Sequence, residues 1–147
     1  MTDMIPNSAE AKRLDKIGEA FNNDLLDSIS NHFNGAVTNA FTPDEDKENL
    51  NAIDETQKAL EKSSKLLAAG NIFRAEIYSS EATLASLKPI DLFMRVARRV
   101  GSDAEIAACL PPRKSRTFFP RRSDKKDAAV LEKYELKSLA AVIRAKL

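Results

Sequence analysis

The chain predicts an all-α fold, and three observations carry that reading. Ala, Leu, Lys and Glu are abundant, while glycine (4) and proline (6) are few in 147 residues, a composition that favours long helices. Apolar residues recur at steps of three and four over most of the chain. Two helix-start signatures of the form Ser/Thr-x-x-Glu stand at Thr42-Pro43-Asp44-Glu45 and Ser102-Asp103-Ala104-Glu105. No stretch alternates in the manner of a strand. The expected architecture is an antiparallel hairpin of long helices with shorter helices beside it. A C-terminal helix is joined to these through a basic Pro/Phe arm.

A first helix is expected from Ser8, its cap, with Leu14, Ile17, Phe21, Leu25, Ile29, Phe33, Val37 and Phe41 forming one stripe. As a single rod over residues 8–41 it would span roughly 50 Å. A compact domain of this size has a radius of gyration of about 15 Å. The rod would therefore either bend near Gly35 or pack along other chains. The Thr42 capping box, with Pro43 at the first helical position, starts the next helix. Its row Leu50, Ile53, Gln57, Leu60, Ser64 and Leu67 repeats like a coiled-coil seam, with two of the six positions polar. Gly70 ends it.

Asn71 caps a third helix bearing Ile72, Phe73, Ile77, Tyr78, Leu84 and Leu87, expected to close at Pro89. Ile90 to Val100 reads as a separate short helix and Gly101 as its end. The Ser102 box starts one or two turns that Pro111 and Pro112 stop. Ser123-Asp124 is expected to cap one last helix reaching the C-terminus. The organisation is then a helical body over 1–110, a basic extended arm over 111–123 and a C-terminal helix over 124–147. The segment from Leu66 to Ala75, followed by Ala82 and Pro89, resembles the middle of a tetratricopeptide repeat. The resemblance spans roughly 25 residues with no second copy, and it implies an antiparallel helix pair turning at Gly70.

Charge is distributed unevenly. Residues 1–88 hold nine Lys/Arg against fifteen Asp/Glu, a net of −6; residues 89–147 hold fourteen against seven, a net of +7. The sharpest concentration is Pro111 to Lys126, where Arg113, Lys114, Arg116, Arg121, Arg122, Lys125 and Lys126 flank Phe118 and Phe119. Four roles fit this segment: neutralising nucleic-acid phosphates with aromatic stacking, docking into an acidic groove of a protein, touching anionic lipid, or serving as a solvated linker. Arg95, Arg98 and Arg99 lie just upstream on one side of a helix and would extend the same positive face.

Catalytic and metal chemistry finds little footing. One histidine, His32, and one cysteine, Cys109, cannot make a zinc site, and nothing in the spacing joins them as a nucleophile pair. The four glycines are isolated, so no phosphate-binding loop is expected. The acidic run Asp44, Glu45, Asp46 and Glu48 is explained by the positive end of its helix and lacks calcium-loop spacing. No cofactor and no small-molecule substrate are expected. No run approaches the length of a membrane span, and the first residues lack the pattern of a signal peptide. The expectation is a non-enzymatic assembly or adaptor protein of the cytoplasm, of a cell or infected host, or of a virion or other large assembly. It would self-associate or bind a protein partner; nucleic-acid binding through the basic segment is the alternative.

Overall fold

The computed structural model describes residues 5–110 and 120–146. All regular structure among them is helical: α1 (Ser8–Ala20), α2 (Asn23–His32), α3 (Ala36–Asn39), α4 (Pro43–Ala68), α5 (Ile72–Val100), α6 (Asp103–Ala108), α7 (Pro120–Lys133) and α8 (Lys137–Ala145).

The expected rod over 8–41 is three helices. Asn7, not Ser8, caps the first: its side chain accepts from the Glu10 N–H at 2.9 Å, and the Glu10 carboxylate accepts from the Asn7 N–H at 3.1 Å. Asn7 stands three residues before an acid, which completes a reciprocal box that Ser8 would not. Asn22 restarts the chain as α2 by accepting from the Leu25 N–H at 3.0 Å. Asn34 (φ 54°) and Gly35 (φ 77°) then turn it through left-handed backbone into α3. The stripe survives these breaks because all three pieces face one core. Leu14, Ile17, Phe21, Ile29 and Val37 are all buried in it.

α4 begins as expected. The Thr42 hydroxyl accepts from the Glu45 N–H, and Glu45 accepts from the Thr42 N–H at 3.0 Å. Gly70 (φ 80°) turns the chain, and the Asn71 side chain accepts from the Arg74 N–H to start α5. Pro89 does not end α5, which runs unbroken to Val100. An interior proline costs a helix about 3 kcal/mol. Burial of Leu87 on one side and of Leu92, Met94, Val96 and Ala97 on the other offsets it.

α6 follows its expected capping box. The expected final helix is two. α7 starts at Pro120, ahead of Ser123, so residues 120–123 of the expected extended arm are helical. Proline at a first helical position loses no hydrogen bond. Residues 111–119 lie outside the described residues. Glu135 (φ 65°) breaks the chain before α8. No side chain at its own N-cap protects α8. Instead Asp91, from the middle of α5, accepts from the Leu139 N–H at 2.9 Å. Burial pushes the Asp91 carboxyl above its usual range, against the pull of that hydrogen bond and of Arg95.

The core gathers around the second half of α5, with α1 and α8 packed on it and α6 and α7 on α8. Arg13 to Asp127 (2.6 Å) and Lys133 to Glu10 (2.7 Å) tie α1 to α7. The Tyr134 hydroxyl also donates to Glu10, and its pKa is pushed up to about 12 by burial and by that carboxylate. None of residues 43–83 belongs to this core cluster. α4 and the first part of α5 stand beside it as a long helix pair.

Candidate interaction surface

α4 and α5 pack on each other through small residues. Ala52 and Ala59 of α4, and Ala75, Ala82 and Ala85 of α5, are buried. Ser63 donates to the Ala75 carbonyl at 2.8 Å, Lys88 pairs with Glu55 at 2.9 Å, and Arg95 pairs with Glu48 at 2.6 Å. The partners run in opposite senses, so the two helices are antiparallel, with Ala59 across from Ala82. Side chains without bulk let two helix backbones approach closely.

The consequence falls on the apolar row of α4. A close pair needs one narrow face, and alanines occupy it. The larger side chains point elsewhere. Leu50 is 67% exposed, Ile53 41%, Leu60 50% and Leu67 59%. Gln57 and Ser64 lie exposed in the same row. Past the Gly70 turn, Ile72 (60%) and Phe73 (75%) are exposed as well. Single exposed leucines are ordinary; four large apolar side chains at heptad spacing along one helix are a candidate interaction surface.

The base of the pair is clamped by charge. Arg99 forks onto Glu45 with both contacts at 2.6 Å and also donates to the Ala40 carbonyl at 2.9 Å. Arg95 lies 3.7 Å from the same carboxylate. The Arg99 hydrogen bonds, seconded by the Thr42 N–H, hold the Glu45 carboxyl down at about 2. Arg98 turns the other way, pairing with Asp103 at 2.7 Å and reaching Ser138 at 3.5 Å.

The three arginines read as a positive face are thus split between two directions, each against a carboxylate. Arg121 and Arg122 fall in the first turn of α7, and Lys125 and Lys126 are exposed on it. Arg113, Lys114, Arg116, Phe118 and Phe119 lie outside the described residues.

The remaining chemistry is sparse. Burial and the neighbouring Glu105 push the Cys109 thiol up, away from the thiolate that a nucleophile needs. His32 is exposed, edge-on to Phe33 at 4.9 Å between ring centres. Among the described residues no group of three or more His, Cys, Asp or Glu is placed to hold a metal ion. None of their helices is long and apolar enough to cross a membrane.

The exposed row was visible in the sequence as a coiled-coil-like seam with two polar positions. Ala52 and Ala59, and likewise Ala75 and Ala82, stand seven residues apart. That small-residue repeat is the signal for which face packs inward. The chain matches no protein-family model, and no curated protein or solved structure is significantly similar to it.

Proposed function

We propose that this chain is a non-enzymatic assembly or adaptor protein, a structural component of a larger complex of the virion or secretion type. The observation that supports this most is the bare row Leu50, Ile53, Leu60 and Leu67 on a helix pair standing outside the core. Fully burying such a side chain is worth roughly 1.5–3 kcal/mol. A partner covering the half-exposed row therefore gains on the order of 4 kcal/mol from these four residues. The row, rather than the 8–41 stripe, is the surface offered to a partner, since that stripe is spent on the core. The basic segment supplies a second contact for an acidic protein surface.

The test places a photo-crosslinking residue at Leu60 or, as a control, at Lys47, in protein expressed in its native source. A discrete crosslinked species from position 60 and none from position 47 supports the reading. Equal, diffuse crosslinking from both refutes it.

A nucleic-acid accessory role rests on the seven basic residues of 111–126. If all seven met duplex phosphates, the log-log salt slope would be about −6. Support for this reading is weaker, because Arg95, Arg98 and Arg99 already face carboxylates of this chain. A flat salt response would remove it.

A further inference from the structure

The tip of the helix pair differs from everything behind it. The end of α4, the Gly70 turn and the start of α5 form it, and every residue from Leu67 to Arg74 is exposed. Leu67, Ile72 and Phe73 keep 59%, 60% and 75% of their surface in solvent. α5 carries this tip roughly 18 Å along its axis beyond Leu84, its first residue packed on the core.

Charge changes sign along the pair. Residues 43–61 hold seven Asp/Glu against two Lys, a net of −5. Residues 62–75 hold Lys62, Lys65 and Arg74 and no acid, a net of +3. These cations are not spent within the chain. Arg13, Arg95, Arg98, Arg99 and Arg144 each sit on a carboxylate, whereas among the described residues Arg74 and Lys65 sit on none. Lys62 lies over the Tyr78 ring at 5.4 Å, a contact that leaves its charge in place.

The order along the axis points to the partner. Counted from Gly70 at about 1.5 Å per residue, Leu67, Ile72 and Phe73 lie within roughly 5 Å. Arg74 and Lys65 lie at about 6–8 Å, and the nearest acids, Glu76 and Glu61, at about 9 and 14 Å. Apolar groups lead, cations follow, and acids stand back by more than a Debye length of about 8 Å. An anionic bilayer presents the complementary layers: hydrocarbon inside, negative headgroups next, water last. A convex tip meets a fluid surface without needing a shaped pocket, and Lys and Arg stems can run from apolar depth up to headgroup level.

We infer that this tip docks end-on on membranes carrying anionic lipid, with Phe73 as its apolar anchor. Docking needs no spanning helix, and none of the described helices is long and apolar enough to cross. The contact is separate from the α4 row, with which it shares only Leu67. The acidic length behind the tip, repelled by the same surface, keeps the pair from lying flat.

The chain has no tryptophan, so Phe73→Trp places a single reporter at the tip of the full-length protein. Vesicles of phosphatidylcholine with about 30% phosphatidylserine should shift its emission to the blue, and brominated acyl chains should quench it. Leu60→Trp, farther back on α4, should show neither change. In co-sedimentation, vesicles of phosphatidylcholine alone should bind at least about tenfold less of the native protein. Each cation near an anionic surface contributes a factor of about five, so Lys65→Gln with Arg74→Gln should weaken binding at least about tenfold. Phe73→Ala should weaken it about tenfold. All these side chains are exposed, so helical content should stay unchanged.

Binding that leaves position 73 in water, as attraction through the basic segment 111–126 alone would, overturns the inference. So do equal binding to the two kinds of vesicle and binding indifferent to Lys65→Gln with Arg74→Gln. A discrete protein crosslinked from position 73, with no emission shift on vesicles, assigns the tip to a protein partner and overturns it too. Crosslinking from position 60 reads the α4 row and stands or falls separately.

Discussion

Replacing Glu45 by glutamine tests the clamp at the base of the helix pair. Glutamine keeps the shape of the side chain and can still accept from the Thr42 N–H, so the change isolates the charge on Arg99 and Arg95. A carboxyl held at about 2 instead of 4.5 corresponds to at most about 3 kcal/mol of preference for its charged form. Arg99 keeps 45% of its side chain exposed, and competition from water roughly halves that figure, to ~1.5 kcal/mol. For a chain of this length the loss lowers Tm by about 3–6 °C near neutral pH.

The sign with pH follows from the direction of the shift. A depressed folded pKa stabilises the fold fully above 4.5, and this contribution fades as pH falls and is gone below about 2. Thermal melts by far-UV circular dichroism, for the native protein and Glu45→Gln across that window, should show a Tm gap that closes on acidification. Equal Tm values near neutral pH would refute the assignment of the clamp. A gap that persists undiminished at pH about 2 would refute its electrostatic origin.

Adjacent residues on α4 should behave inversely to their size. Ala59→Leu overfills the face toward α5 and should cost about 1–3 kcal/mol, whereas Leu60→Ala should cost about 0.5 kcal/mol or less, both by urea denaturation. Asp91→Leu strips the cap from the buried start of α8 and should cost about 1–3 kcal/mol. Asp91→Asn retains an acceptor and should be nearly neutral, and because burial raises the Asp91 carboxyl, this residue favours the fold more as pH falls. Gly101→Ala would set its Cβ 2.4 Å from the Phe33 ring. It should cost about 1–3 kcal/mol, and a Phe33→Ala background should recover part of the loss.

Local signals survived from sequence to structure. Thr42 with Glu45, Ser102 with Glu105, Gly70 and Asn71 all mark ends that short-range hydrogen bonds and left-handed backbone dictate. The all-helical class followed from composition and period. The bend near Gly35, one of the two outcomes expected for a rod of that length, is present; the break at Asn22 was hidden because the apolar spacing runs on through it toward a shared core. Pro89 does not end the helix as expected, since tertiary burial around it outweighs a missing hydrogen bond.

The seam on α4 was legible, but not its exposure. Periodicity marks an apolar face but not whether the rest of the same chain covers it. That was decided by the alanines, which pattern reading passes over. Of the partner residues expected, Arg95, Arg98 and Arg99 were legible as charges, but not their carboxylates, which lie elsewhere in the chain at Glu45, Glu48 and Asp103.

A helix that leans on one neighbour has consequences for motion. The base of α4 is held at Glu45 and Glu48 by Arg99 and Arg95, but none of residues 43–83 belongs to the central cluster, so the far end of the pair near Gly70 can open without disturbing the remainder. Amide hydrogen exchange should then grade along α5. It should be slow from Leu87 to Ala97, where opening requires global unfolding, and faster toward Asn71, where only α4 must separate. Whatever covers α4 would slow exchange most at that far end, and the change in protection would report binding from residues the partner need not touch.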